Sequence, residues 1–464
     1  MNNKLNGKNL LVICFILLSV SSKAQIFLEG DHIPSIYPTS AAFGDLNGDG
    51  FIDLVQAYMY FSDDIPENAN KVWLNNGDMT FTFHTELGNY PTVDIEIADM
   101  DNDGDLDLIA GSDGNFVNRI WLNDGLGNFT VGQSFGNRDV SSLAIADFNE
   151  DGYPDIIFGV SDIGTDDMLY INNGNGTVTM DTDIPFTSGS RTSDVRTTDI
   201  NNDGHMDFVL SKASTNLQIL EESEVWTGFG DGTFYKSPQI FPLVGSGSTV
   251  AADYNGDGEM DLVFLEEGNV NGYLNDGSSL FQHSTVLYSG ASIRDIDMID
   301  ADVDGDLDLV VARYADDDAY ESLILFNDGN GEFTDGSEQI SIANTVRIEA
   351  FDIDEDRDMD LFIVNRTEQD NVFWINQTDP PLAIHDTETI KLILYPNPAG
   401  NLLHVQAKTA IENVSIYNIL GQQIYFKHID ASNFEVDISN LTSGEYIVKI
   451  LANGQLVAKK ILKQ

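Results

Sequence analysis

The chain has a single cysteine, Cys14, in 464 residues. It lies in the N-terminal apolar run, so the rest of the chain can form no disulfide, and an exported fold must be held by its core or by bound metal. Basic residues are scarce as well: 22 Lys and Arg stand against 76 Asp and Glu, a formal charge of −54. A basic face for phosphate contacts is therefore missing, which argues against nucleic-acid binding. The seven histidines are scattered without ligand spacing, and there is no GxSxG elbow, HExxH helix or cysteine nucleophile. The apolar run LLVICFILLSV is too short to prefer a transmembrane role. What is plentiful is apolar surface to bury. Hydrophobic residues make up 42% and aromatics 10%, far above the content of a disordered acidic chain, so the chain folds with an acidic surface.

Residues 1–24 are expected to be a secretory signal peptide: Lys4 and Lys8 precede the apolar run, and Ser22 and Ala24 offer small residues at a cleavage site. A lipoprotein would use Cys14, but Ile13 stands where a small residue is wanted.

The stretch DMDNDGDLDL, from Asp99, crowds five aspartates into nine residues, and six relatives of it occur elsewhere. They begin at Asp45, Asp147, Asp199, Asp253, Asp300 and Asp352, spaced 47 to 54 residues apart, and a period near 50 marks a repeat architecture. Each copy has Asp at position 1, Asp or Asn at 3, and Asp at 5 and 9. The candidate metal ligands are thus Asp45, Asn47, Asp49 and Asp53; Asp99, Asp101, Asp103 and Asp107; Asp147, Asn149, Asp151 and Asp155; Asp199, Asn201, Asp203 and Asp207; Asp253, Asn255, Asp257 and Asp261; Asp300, Asp302, Asp304 and Asp308; and Asp352, Asp354, Asp356 and Asp360. Calcium takes six to eight oxygens, and such a loop supplies them from positions 1, 3 and 5, a carbonyl at 7 and a later carboxylate. Up to seven Ca2+ ions are expected. Six copies have glycine at position 6, where a positive φ would turn the chain around an ion; the seventh has Arg357. Ordinary Asx turns would explain one copy, but not seven in register. An EF-hand fails because no copy has Glu at position 12.

A second motif keeps the same period. KVWLNNG from Lys71, RIWLNDG from Arg119 and five related segments follow the acidic loops, and Phe81, Phe129, Phe234, Phe281 and Phe333 come after the turns. Short β-branched and aromatic runs joined by Asn-Gly and Asp-Gly are hairpins, so each repeat predicts four strands. The last repeat lacks a fourth strand, and QIFLE near Phe27 stands at the right offset to supply it and close a ring.

Seven such units resemble the FG-GAP or VCBS-type calcium-binding β-propellers, with the loop and the WxNDG turn carrying the match. The resemblance implies an all-β fold with a seven-bladed β-propeller over 25–378. Residues 379–389 read as a Pro-containing linker, and the charge sign changes beyond it: from Lys391 there are seven lysines against five acids. The segment 390–464 alternates as a small C-terminal β-sandwich. Its LYPNPAGNLLHV, VSIYNILGQQIY, LTSGEYIVKI and closing KKILKQ resemble the sorting domain of type IX secretion cargo in Bacteroidota. That resemblance implies recognition by the type IX machinery and a secreted, extracellular or outer-membrane-surface location.

Signal, propeller and tail leave no room for a catalytic domain. The expected function is a calcium-stabilised, non-enzymatic module that binds a glycan or protein; the alternative is a polysaccharide lyase or hydrolase at the propeller channel. The ligand face is expected opposite the acidic loops, where connections differ between repeats. Those connections carry Tyr60, Tyr90, Arg138, Arg191 and Arg313, suited to acidic groups and sugar rings.

Overall fold

The computed structural model describes residues 26–378 and 393–463, apart from 36, 60–68, 115, 163, 187–190, 214–221, 240, 242–245, 267, 278–279, 315–320, 342–343, 367–368, 396–398, 419–422, 443 and 453–454. The expected signal peptide, the linker and Tyr60 lie outside the described residues. The chain divides into two compact units, Met1–Pro381 and Leu382–Gln464.

In the first unit the described strands form seven four-stranded antiparallel sheets. The inner strands are Pro38–Gly44, Thr92–Ala98, Val140–Ala146, Arg191–Thr198, Ser246–Ala252, Ile293–Ile299 and Thr345–Phe351. Each touches the inner strand of the next sheet, and Thr345–Phe351 touches Pro38–Gly44, so the blades close into a ring. As the spacing predicts, the outer strand of the seventh blade comes from the other end of the unit. Phe27–Ile33 pairs antiparallel with Asn371–Asn376, with Phe27 opposite Asn376. The closure leaves no blade with a missing edge strand.

Periodicity explains why these segments are strands with both faces covered. Four of the second strands, among them Asp155–Val160 (DIIFGV) and Asp360–Asn365 (DLFIVN), are buried at every position, and the other three at every position but the last. They read as continuous apolar runs because each is packed between two neighbouring blades. The interblade core is rich in rings: Phe208 stacks on Trp226 at 5.9 Å and Phe81 on Phe373 at 4.7 Å. The second of these joins the first blade to the seventh.

Every inner strand has a register irregularity within its first four residues. The residues at these irregularities form a ring around the channel, in order Ser40, Asp94, Ser142, Asp194, Ser248, Asp295 and Arg347. The three acids link blades by accepting backbone N–H groups from the next inner strand: Leu143 to Asp94 at 2.9 Å, Thr249 to Asp194 at 2.8 Å and Ile348 to Asp295 at 2.9 Å. Seven is odd, so serine–aspartate alternation cannot close, and Arg347 takes the last place.

The second unit is a five-stranded antiparallel sheet built on the long strand Leu402–Asn418. Register shifts around Ile411 and Asn413 bend that strand. Its core gathers Leu403, Val405, Val414, Ile416, Val448 and Ile450, all fully buried.

Candidate functional site

The acidic loops join the first and second strands of every blade, and all seven share one hydrogen-bond pattern. The position-1 carboxylate accepts the N–H of residue 5 through Oδ1 and of residue 6 through Oδ2; in the second blade these are Asp103 and Gly104 to Asp99, at 3.2 and 3.0 Å. The position-5 carboxylate accepts the N–H of residue 7, as Asp105 donates to Asp103 at 3.0 Å. Position 6 has positive φ in every copy, from +84° at Arg357 to +99° at Gly305. Position 4 is left-handed as well, at Gly48, Asn102, Glu150, Asn202, Gly256, Val303 and Glu355. For the β-branched Val303 such a φ is a real outlier, held by the rest of the loop.

Position 3 divides the loops into two kinds. Where it is asparagine, at Asn47, Asn149, Asn201 and Asn255, Nδ2 donates to the position-5 carboxylate at 3.0 Å. An amide hydrogen thus supplies the positive partner. Where it is aspartate, at Asp101, Asp302 and Asp354, that donor is gone, and Oδ1 of each is buried with no hydrogen-bond partner. In these three loops the carboxylates converge: Asp99, Asp101 and Asp107; Asp300, Asp302 and Asp304; and Asp352, Asp354 and Asp356 each bring oxygens within 4.8 Å of one another. Three converging carboxylates require a cation or protons among them, and burial with neighbouring like charge pushes Asp354 up to about 6. The donor set is oxygen alone, as a hard cation prefers.

The position-9 aspartates have a second role. Each is buried and accepts through Oδ1 the backbone N–H that opens the NDG-type turn, from Asn75 to Asp53 at 2.8 Å through to Asn376 to Asp360 at 2.7 Å. In six of the seven, Oδ2 also takes the N–H of loop residue 2, as Phe148 donates to Asp155 at 3.1 Å. These residues tie the acidic loop to the second hairpin. Burial, opposed by those N–H groups and aided by the loop's other acids, pushes Asp53, Asp107 and Asp207 up to about 6, and Asp155, Asp261, Asp308 and Asp360 to about 7.

Position 7, read from the sequence only as a carbonyl, also carries side-chain information. In the first six blades its side chain lies against the glycine of the same blade's turn: a Cβ on Gly77 would meet the Phe51 ring, and one on Gly125 the Asp105 carboxylate. Loops with aspartate at position 3 also have it here, at Asp105, Asp306 and Asp358. Asp358 is almost fully buried, neither oxygen has a donor, and burial next to Asp356 raises it to about 8.

On the opposite side, the candidate ligand-face residues are spread around the ring. Tyr90 lies under Arg119, whose guanidinium is 3.3 Å from the ring centre. Arg313 donates through Nε to the carbonyl of Ala291 at 3.2 Å. Arg191 is exposed at the start of its inner strand, and Arg138 is half-buried near Tyr170. The residues brought together there are others: Arg196, Arg294, Arg347 and Arg366 line one cavity at the channel mouth with Asp194 and Asp295.

Two family models match the chain. The FG-GAP-like repeat matches residues 45–110, 99–158, 147–210 and 253–311, and the secretion system C-terminal sorting domain matches 393–464. No curated protein matches the chain. Among solved structures, a lectin of Agrocybe aegerita, described as recognising non-reducing terminal N-acetylglucosamine, is 19% identical with a TM-score of 0.46, over 67% of this chain and 81% of its own. PorZ of Porphyromonas gingivalis, a surface component of its type IX secretion system, is 13% identical with a TM-score of 0.48, over 91% of this chain and 59% of its own. The chain is an all-β protein of FG-GAP-like repeats that carries a type IX secretion sorting domain and is directed to the cell surface or the extracellular space.

Proposed function

We propose that the repeat unit is a calcium-stabilised, non-enzymatic binding module whose ligand, a glycan or protein, engages the face opposite the acidic loops. The observation that carries the calcium reading is the buried, partnerless Oδ1 of Asp101, Asp302 and Asp354, each among converging carboxylates. Leaving such an oxygen buried costs about 1–3 kcal/mol, and a bound cation removes the cost. Calcium is favoured over magnesium because the loops offer several carboxylates and carbonyls in place of the waters that magnesium keeps. The other four loops hold the same fold with an amide in place of the missing charge, so they are weaker sites.

With the blades made rigid by these loops, recognition falls to the connections that vary. Tyr90, Arg138, Arg191 and Arg313 belong to that face, and guanidinium groups there suit the carboxylates or sulfates of an acidic glycan. The test uses the mature chain. Calorimetric titration should give at least three calcium ions, and binding to a glycan panel should weaken when Arg138, Arg191 and Arg313 are replaced together by alanine. A melting temperature indifferent to EDTA would overturn the calcium reading. Binding that ignores the triple substitution would move the ligand elsewhere.

A further inference from the structure

We infer that the mouth of the central channel is a site for a hydroxylated acid, namely an acidic sugar residue at the end of a glycan. The inference rests on the proposal that this unit binds a glycan. The mouth holds a cavity of about 320 Å³, where the inner strands begin and away from the acidic loops. That volume lies at the lower end of small-ligand sites, about 300–1,000 Å³, and suits a chain end better than a long segment of polymer.

The lining reverses the sign of the molecule. The chain has nine arginines in all, and four of them, Arg196, Arg294, Arg347 and Arg366, face this one cavity. Two are committed to the wall: Arg347 pairs with Asp94 at 2.7 Å and Glu349 at 2.8 Å, and Arg196 with Asp194 at 3.3 Å. The lining acids Asp194 and Asp295 are likewise committed, each accepting a backbone N–H of the next blade. Arg294 and Arg366 remain. Both are exposed, and neither pairs with a carboxylate among the described residues. The Arg294 guanidinium lies 5.4 Å from the centre of the Tyr314 ring, which holds a planar donor group at the rim. A pair of such guanidiniums matches a carboxylate, which each can bind through two parallel N–H groups.

Hydroxyls on the same wall specify the rest of the ligand. Thr39 and Ser141 line the cavity but give their protons to the neighbouring blade, at the carbonyls of Thr92 (2.7 Å) and Thr192 (2.7 Å). Their oxygens are left as acceptors. A simple anion would satisfy the guanidiniums and leave these acceptors without donors. A sugar acid supplies both: a carboxylate for Arg294 and Arg366, and O–H groups for these two hydroxyl oxygens.

The test is calorimetric titration of the mature chain with a galacturonate trisaccharide, free galacturonic acid, an uncharged galactose trisaccharide and a sulfated galactan oligosaccharide. Galacturonate should bind, and the Arg294→Ala/Arg366→Ala variant should lose at least tenfold in affinity, with its melting temperature and calcium binding unchanged. Arg294→Lys/Arg366→Lys should recover part of the loss. Preference for the trisaccharide over the free acid identifies a glycan end, and equal binding identifies a free sugar acid; both uphold the site. The inference is overturned if the double alanine variant binds as tightly as the wild type, if the uncharged trisaccharide binds equally well, or if only the sulfated probe binds. A protein that binds no glycan in a broad panel overturns the wider proposal as well. Glycan binding indifferent to Arg294 and Arg366 removes the channel mouth alone.

Discussion

Nη1 of Arg347 donates to Oδ1 of Asp94 at 2.7 Å, joining inner strands of the seventh and second blades across 253 residues of chain. Asp94 has no exposed side-chain surface, and Ser40, in the blade between, is small enough to let the arginine pass while donating to the same oxygen at 2.7 Å. The pair therefore helps close the ring. Replacing Arg347 by methionine should cost about 3–5 kcal/mol, because a buried carboxylate is left without its cation. Adding Asp94→Asn should recover part of that cost. Urea unfolding of the wild type and these two variants measures it, and a loss below about 1 kcal/mol would mean that closure rests on packing alone.

Calcium should control stability. If the three carboxylate-rich loops bind with dissociation constants of about 0.1 mM, then 1 mM calcium contributes roughly 1.4 kcal/mol at each, about 4 kcal/mol together. Thermal melts of the mature chain in EDTA and in 1 mM calcium should separate clearly, and coincident curves would overturn the calcium reading.

A sharper outcome is expected from Asp101→Asn. Four loops already have asparagine at position 3, with Nδ2 on the position-5 carboxylate at 3.0 Å. The variant should adopt that arrangement and stabilise the calcium-free protein by about 1–3 kcal/mol, since a buried oxygen loses its unmet charge. In calcium the order should reverse, because a charged ligand has been removed. A variant less stable than the wild type in both conditions would show that Oδ1 of Asp101 faces no cation site.

Much of this was legible in the sequence because it is periodic. The seven acidic loops, the outer-strand phenylalanines and the borrowed strand at Phe27 all follow from spacing, since a ring of like blades repeats its local chemistry. What was hidden depends on contacts between repeats. The ring from Ser40 to Arg347 is invisible until the inner strands lie side by side, and the cavity arginines come from three separate blades. Position 4 of the loop could have been found: it is Gly or Asn in four copies, residues that tolerate positive φ, but Glu150, Val303 and Glu355 obscured the signal.

Arg357 occupies the left-handed position that glycine fills in the other six loops, at φ +84°. For a residue with a Cβ this conformation costs roughly 1–2 kcal/mol. Arg357→Gly should therefore stabilise the protein by about 1 kcal/mol in EDTA, and it should tighten calcium binding at the seventh loop by removing a nearby cation. Differential scanning calorimetry with and without calcium tests both parts. An unchanged melting temperature would mean that contacts of the arginine side chain offset the backbone strain.

The channel below Arg347 should make stability fall as the solution turns alkaline. Burial pushes Glu349 up to about 8 and Glu96 to about 7, against the pull of Arg347 on both, with Asp94 adding to the rise of each and Asp295 to that of Glu349. Asp297 is raised to about 6, again by burial, and Arg196 opposes it. These folded values lie above the ordinary carboxyl values of 4.5 and 3.8, so the folded protein holds protons that the unfolded chain releases. The contribution is complete below the unfolded values and is lost as pH rises through about 6 to 8. Glu349→Gln isolates one group from the acidic loops, whose raised carboxyls act in the same direction. The variant should be no more stable than the wild type near pH 4, below the ordinary value of 4.5, where Glu349 is mostly protonated whether folded or unfolded. It should become the more stable of the two near pH 9, where the wild type must carry a buried charge. A stability difference between the two that does not change with pH would show that Arg347 keeps Glu349 ionised throughout.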